Sequence, residues 1–169
     1  DGNNLIDWVR KPNESVYQSM NYTGLDTWGA EISLNKKLNS DFFLYPCIKA
    51  LNFSYTYLNK DKQESDFISA YALDYLKNDI NFQMISNIKG TGFNLVFSSS
   101  FNERNGTYTY YGKEFPYKPF WLFNLSLNYS TNNWKIFISA DNLFDKKVRD
   151  FGNIILPGRW LKAGIEISL

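Results

Sequence analysis

Apolar and polar side chains alternate with a period of two along most of this chain, and helical periodicity is nearly absent. Trp121, Phe123, Leu125, Leu127 and Tyr129 share one parity, while Asn124, Ser126, Asn128 and Ser130 share the other. A strand with that order shows one greasy face and one wet face. After Thr131-Asn132-Asn133 the pattern resumes, setting Trp134, Ile136, Ile138 and Ala140 against Lys135, Phe137, Ser139 and Asp141. The final segment sets Leu161, Ala163, Ile165, Ile167 and Leu169 against Lys162, Gly164, Glu166 and Ser168. Upstream, Phe93, Leu95, Phe97 and Phe101 oppose Asn94, Ser98, Ser100 and Asn102, with Val96 and Ser99 as minor exceptions. Leu76, Ile80, Phe82, Met84 and Ile88 oppose Lys77, Asn81, Gln83 and Asn87. Strands are also expected near 48–58, around Leu51, Phe53, Tyr55 and Tyr57, and near 22–38, around Trp28, Ala30, Ile32 and Leu34. The reading predicts seven full strands and the end of an eighth at 5–9.

Connections between these strands alternate in length. Short ones fall at 89–92 and 131–133, and long ones rich in charge, Gly or Pro at 10–20, 59–72, 103–119 and 143–158. Short turns at one end and long loops at the other are what a membrane-spanning barrel shows. The link at 39–45 is the longest on the short side, and its trio Phe42, Phe43 and Leu44 has no clear place in the pattern. A soluble β-sandwich also alternates, but it buries its greasy faces against each other and has no reason to gather aromatics at strand ends. Here Trp121, Trp160, Phe101 and Phe144 fall near one rim and Tyr129 and Trp134 near the other, as in two aromatic girdles. The expected fold is therefore all-β: an antiparallel transmembrane β-barrel segment.

Composition strengthens that expectation. Aromatic residues make up 18% of the 169 residues while the mean hydropathy is −0.39, a pairing that a wall between lipid and a wet lumen explains. The net charge of +1 argues against a nucleic-acid partner. Cys47 is the sole cysteine, so no internal disulfide forms; it reads as a small buried or lipid-facing residue. No apolar run is long enough for a transmembrane helix. The start at Asp1, without methionine or signal sequence, is what a fragment or processed chain looks like.

Catalytic chemistry finds little support. The chain has no histidine, and Cys47 has no evident activating base, so neither a triad nor a metal site is expected. Gly90-Thr91-Gly92 and Gly106 lack phosphate-loop spacing and read as turns. The richest stretch for binding is 104–112, where Arg104, Asn105, Tyr108, Tyr110 and Tyr111 crowd aromatic surface and hydrogen-bonding groups together. Tyrosine offers an apolar face with a polar tip at low entropic cost, which suits a large amphipathic ligand. Arg149 and Asp150 in the last long connection join them as candidate ligand-binding residues, whereas Lys146 and Lys147 read as a solvated loop or a lipopolysaccharide contact.

The run Asp141-Asn142-Leu143-Phe144-Asp145-Lys146-Lys147, followed by Gly158-Arg159-Trp160 and an alternating final strand, resembles the end of TonB-dependent outer-membrane receptors. Trp28-Gly29-Ala30-Glu31 and Asn102-Glu103-Arg104-Asn105-Gly106 extend the resemblance more weakly. Within that family, Asp150-Phe151-Gly152-Asn153, Pro157 to Gly164 and Pro116-Tyr117-Lys118-Pro119-Phe120-Trp121-Leu122 look most like the vitamin B12 (cobalamin) receptor branch. Val148 departs from the usual aromatic; Leu169 stands where a terminal Phe or Trp is typical of barrel-assembly signals, which implies weaker recognition by the assembly machinery. The resemblance implies a barrel of about 22 strands with a plugged lumen, of which residues 1–169 form seven to eight strands at the C-terminal side, the plug domain lying outside this chain. It further implies multi-pass residence in a bacterial outer membrane, uptake of a large scarce nutrient such as cobalamin, coupling to the TonB-ExbB-ExbD complex through the plug, no cofactor, and a surface-exposed lipoprotein as a further partner. A siderophore or haem receptor, and a small closed barrel acting as anchor or adhesin, stay open as alternatives.

Overall fold

The computed structural model describes residues 2–11, 14, 16–38, 47–62, 67–69, 73–88 and 90–167. In chain order the strands are β1 (Gly2–Arg10), β2 (Gln18–Lys37), β3 (Ile48–Lys62), β4 (Ile68–Ser69), β5 (Tyr75–Ile88), β6 (Phe93–Asn105), β7 (Thr107–Tyr110), β8 (Lys113–Pro116), β9 (Phe120–Ser130), β10 (Trp134–Asp141), β11 (Arg149–Asp150), β12 (Ile154–Ile155) and β13 (Trp160–Ile167). A 3-10 turn at Phe151–Asn153 joins β11 to β12. Among the described residues no helix is long and apolar enough to cross a membrane.

One antiparallel sheet runs in the order β13-β10-β9-β6-β5-β3-β2-β1-β4, and β7-β8 and β11-β12 are separate small hairpins. The protein is all-β. Each long strand pairs with the next along the chain, so the sheet is an up-and-down meander, the arrangement that short connections impose on antiparallel strands. Among the described residues β13 has a partner on one edge only, and the sheet does not close on itself.

Register locks the two faces across strands. On the apolar side Ile32, Tyr55, Ile80, Phe101 and Trp121 stand opposite one another in sequence across β2, β3, β5, β6 and β9, and Tyr129, Ile136 and Ile165 continue the face over β10 and β13. On the other side Asn35, Asn52, Gln83, Ser98 and Asn124 form a polar row over five strands. Asn52 Nδ2 donates to Gln83 Oε1 at 3.0 Å and Asn87 Nδ2 to Asn94 Oδ1 at 2.7 Å, while Lys162 Nζ donates to Asp141 Oδ2 at 2.5 Å. Because the side-chain period is two, a slip of one residue would exchange the faces, so the order of apolar and polar residues disfavours any such slip.

Sheet curvature puts the polar face inside. A hollow of about 370 Å³ is lined by Ser33, Asn35, Asn52, Gln83, Ser98 and Asn124, among others, drawn from β2 to β9. The apolar face is convex, and among the described residues no second sheet or helix covers it. Leu34 is 62% exposed, Ile138 58% and Ile165 65%. Buried apolar side chains gather instead near the long connections: Val9, Tyr75, Tyr117, Phe120 and Val148.

Two apparent lapses in the alternation have packing reasons. Ser99 sits between Phe82 and Phe123 and is buried by those rings, which stack onward to Phe97. Phe137, on the polar side, lies across Gly164 of β13, where a Cβ would come 2.5 Å from its ring; the aromatic covers backbone that glycine leaves bare.

Boundaries moved where the strands outrun the alternation. β2 starts at Gln18 rather than near 22, β3 runs on to Lys62, and β6 to Asn105, so three long connections shrink, to 11–17, 63–74 and 106–119, while the last widens from 143–158 to 142–159. Gln18, Ser19 and Asn21 are polar at both parities, so the tip of β2 carries no period-two signal although its pairing with Val9, Trp8 and Ile6 continues. The eighth strand, expected only at 5–9, spans Gly2–Arg10. The connection at 106–119 is folded as a hairpin rather than irregular. Short and long connections alternate from β3 onward, at 63–74, 89–92, 106–119, 131–133 and 142–159, but not before it: the link 38–47 on the short side is longer than 11–17 on the long side. At the short end, Gly92 has φ +77°, and a Cβ there would lie 2.4 Å from the Ser130 carbonyl oxygen, so the turn requires glycine. Cys47 is exposed, not buried. The trio Phe42, Phe43 and Leu44 lies outside the described residues, as do Lys89, Ser168 and Leu169.

Candidate ligand site in the long connections

Strand β6 carries its polar parity upward from Asn102 to Arg104, which therefore emerges on the concave side at the loop end. The Arg104 guanidinium is held from two directions. Its Nη1 donates to Asp74 Oδ1 at 3.0 Å and its Nε to Asp150 Oδ1 at 2.8 Å, so one side chain joins the wall to connections 63–74 and 142–159. Tyr117 adds connection 106–119: its hydroxyl donates to Asp74 Oδ2 at 3.0 Å and accepts from the Gly152 N–H at 3.1 Å. The guanidinium also lies 5.9 Å from the Tyr117 ring and 5.4 Å from the Phe151 ring. Burial, and then the bond to Asp74, raise the Tyr117 phenol above its ordinary pKa.

The hairpin β7-β8 stands on a second arginine. The Arg149 guanidinium lies 4.5 Å from the Tyr110 ring centre and 5.7 Å from that of Tyr108, and its Nη1 donates to Asn153 Oδ1 at 2.5 Å. Asn153 Nδ2 donates in turn to the Thr109 carbonyl at 3.1 Å. Tyr108 also packs 5.8 Å from Phe115 and 5.5 Å from Tyr117. Asn105 Nδ2 donates to the Leu73 carbonyl at 2.9 Å. On the far side Arg10 pairs with Glu114, which brings the end of β1 against the hairpin.

Between these groups lies a cleft of about 810 Å³, within the range of small-molecule sites. Its walls include Trp8, Tyr17, Phe67, Tyr108, Tyr117 and Phe151, with Asn105, Thr107, Thr109 and Asn153 supplying hydrogen-bonding groups. Its charges are internally matched, because Asp74 is bound by Arg104 and Glu114 by Arg10. The cleft thus presents aromatic faces and neutral polar groups. Among the described residues no three His, Cys, Asp or Glu side chains converge to hold a metal ion.

Of the residues singled out from the sequence, Arg104, Asn105, Tyr108, Tyr110, Arg149 and Asp150 do come together. Their parts differ. Asn105 and Tyr108 line the cleft, while Arg104, Arg149 and Asp150 spend their charges or ring contacts on holding its walls. Tyr111 stands apart at the hairpin tip, 88% exposed, with φ 49° and its ring edge-on to Tyr110 at 4.4 Å. Sequence reading missed Asp74, Trp8, Tyr17 and Asn153, which reach the site from distant connections; only the topology places them there.

No family model, curated protein or solved structure matches the chain. The geometry nevertheless gives the closing motif a physical role. Asn142, buried and at φ 47°, donates through Nδ2 to the carbonyls of Lys146 at 2.9 Å and Pro157 at 3.1 Å, and accepts from the Lys146 N–H at 2.8 Å. Asp145 Oδ1 accepts from the Arg159 N–H at 2.8 Å. Leu143 N–H bonds to the Phe123 carbonyl at 2.8 Å, and Phe144 turns back to meet the Phe123 ring edge-on at 5.4 Å. Asp141-Asn142-Leu143-Phe144-Asp145 is a clasp that ends β10 and feeds β13.

Proposed function

We propose that this chain is a stretch of the wall of a bacterial outer-membrane barrel that imports a large, scarce nutrient, with cobalamin the first candidate, using TonB-coupled energy. One observation carries the membrane part of this reading: the apolar face is convex, continuous over seven strands and uncovered. Leaving Ile32, Leu34, Ile138, Leu161, Ile165 and Ile167 in water forgoes about 1.5–3 kcal/mol each, together on the order of a whole domain's stability. Hydrocarbon removes that cost, and the concave polar rows then meet a wet lumen. Aromatic pairs mark both borders: Phe101 with Trp121 at 5.2 Å and Trp28 with Tyr57 at 5.1 Å at the loop end, Phe93 with Tyr129 at 4.7 Å at the turn end. Trp121 and Tyr129 are eight residues apart, about 27 Å along a strand, or about 20 Å of height at a tilt near 40°.

The import part rests on the resemblance of the closing clasp and of residues 116–122 to TonB-dependent receptors, and on the aromatic cleft among the long connections. An open sheet supports a wall segment over a small closed barrel. Energy would arrive through the TonB-ExbB-ExbD complex acting on a plug outside this chain.

Two measurements test the proposal. A lysine at Ile138 or Leu125 should block assembly, by about 2–4 kcal/mol per charge at the midplane, whereas Ser126→Lys, one position away on the concave face, should assemble. Equal assembly of all three variants refutes the two-solvent wall. Titration of the intact protein with cyanocobalamin should give a Kd below micromolar, a free energy beyond about −8 kcal/mol; weaker binding removes cobalamin and leaves a siderophore or haem as the ligand to try.

A further inference from the structure

Arg149 carries a charge that no carboxylate answers. It is half-buried between tyrosine rings, 4.5 Å from the centre of Tyr110 and 5.7 Å from that of Tyr108. Its Nη1 donates to Asn153 Oδ1, which leaves Nε and Nη2 without a hydrogen-bond partner among the described residues. A cation partly withdrawn from water normally finds an acid. Among the described residues Arg149 has none, because the close ion pairs there engage Arg10, Arg104, Lys135 and Lys162. It lines instead a hollow of about 480 Å³, together with Lys118, Lys146 and Lys147, which are exposed and equally without an ion pair among those residues. The nearby acids do not cancel this charge. Asp145, next to Lys146, turns its carboxylate to the Arg159 N–H, and Asp74 and Asp150 share Arg104. With Arg104 counted in, five cations meet three carboxylates, an excess of two.

The floor narrows the class. Phe120 and Val148, 6% and 5% exposed, line the hollow with Pro119 and Ile155. Phe120 pairs with Asn102 and shares the parity of Asn124, so the floor lies on the concave side at the loop end, away from the convex apolar face. Tyr108 is a wall of both this hollow and the aromatic cleft, whose own charges are matched. The cleft thus offers ring faces and neutral groups, and the hollow offers cations over an apolar floor. The free Nε and Nη2 edge of a guanidinium fits two oxygens of a carboxylate or phosphate, and the floor suits an anion attached to a ring or hydrocarbon over a bare one. We propose that Arg149, with Lys118, Lys146 and Lys147 around it, binds the carboxylate or phosphate group of an organic anion. That this anion belongs to the imported nutrient rests on the import reading above, whereas the site itself does not.

The test titrates the intact protein, its folding followed by circular dichroism, with phenyl phosphate, benzoate, inorganic phosphate and neutral benzyl alcohol. Phenyl phosphate and benzoate should bind and displace each other. Benzyl alcohol, for want of charge, and inorganic phosphate, for want of an apolar part, should bind about tenfold more weakly or worse. The triple variant Lys118→Gln, Lys146→Gln, Lys147→Gln should bind phenyl phosphate roughly thirtyfold more weakly, at about threefold per exposed cation, and its dependence on salt should flatten. Arg149→Lys, which keeps the charge and loses the fork, should cost about tenfold in affinity. If that variant disturbs the β7-β8 hairpin, the triple variant, with Arg149 in place, carries the test by itself. Unchanged affinity in the folded triple variant overturns the proposal, as does benzyl alcohol or inorganic phosphate binding as tightly as phenyl phosphate. A protein that takes phenyl phosphate through these cations and ignores cyanocobalamin supports the anion site while removing cobalamin, so the two failures read differently.

Discussion

Replacing Asn142 by alanine removes three hydrogen bonds at once: two donated to the carbonyls of Lys146 and Pro157, and one accepted from the Lys146 N–H. At a net 0.5–1.5 kcal/mol each, they contribute about 3 kcal/mol to the clasp, and alanine adds a penalty for φ 47° that asparagine bears more easily. The loss is local, because the clasp joins β10 to β13 without entering the face of the sheet. Opening of residues 142–159 should therefore become on the order of a hundredfold more frequent, at about 1.4 kcal/mol per decade. Native-state hydrogen exchange reads this directly: the Lys146, Leu156 and Arg159 amides should exchange that much faster, while the amides of β5 and β6 stay unchanged. Asn142→Gly keeps the backbone conformation and loses the side chain, so it separates the two terms; it should recover only the conformational part. If Lys146 and Arg159 exchange at the original rate in the alanine variant, the clasp does not hold the last connection and the physical role given to the motif is wrong.

Further outcomes follow from the same geometry. Arg104→Ala leaves Asp74 and Asp150 without their cation; both are partly screened by solvent, so the cost should be about 2 kcal/mol, read as faster exchange in all three connections it joins, and Arg104→Lys should not restore them because an ammonium cannot hold both carboxylates in that fork. Tyr117, its phenol raised first by burial and then by its bond to Asp74, stabilises the loops fully below pH 10 and loses that contribution as pH climbs through the raised value, when a phenolate would face the Asp74 carboxylate; ultraviolet titration should show one late-ionising tyrosine that Tyr117→Phe abolishes. Gly92→Ala should hinder the β5-β6 turn by more than 1 kcal/mol, seen as reduced yield of folded protein, and a yield equal to the parent would contradict the tight approach to Ser130.

Much of the wall was legible in the sequence because every side chain in it answers to a two-residue period. Trp121 to Tyr129 needed only counting, and the order of short and long connections set strand direction. The tips of β2 and β6 were not legible, since both faces there are polar and the pairing is maintained by backbone bonds that leave no mark on composition. The site was half visible. Tyr108, Tyr110, Arg104 and Asp150 drew notice as a crowded, reactive-looking stretch, yet the sequence could not say that Arg104 and Asp150 neutralise each other or that Asp74, 30 residues from Arg104 along the chain, completes the set. Such pairings depend on which loops the meander brings to the same end. Lys118 and Lys147 gave no hint of sharing a hollow for the same reason.

Arg104 has a wider consequence. By tying three connections to one wall strand, it makes them a single raft instead of three independent flaps. A molecule landing on that raft meets walls whose rotamers are already chosen, so little ordering entropy remains to be surrendered on capture. Recognition by such a surface is limited by fit and escape more than by rearrangement, and selectivity is written into its rigidity as much as into the atoms it exposes.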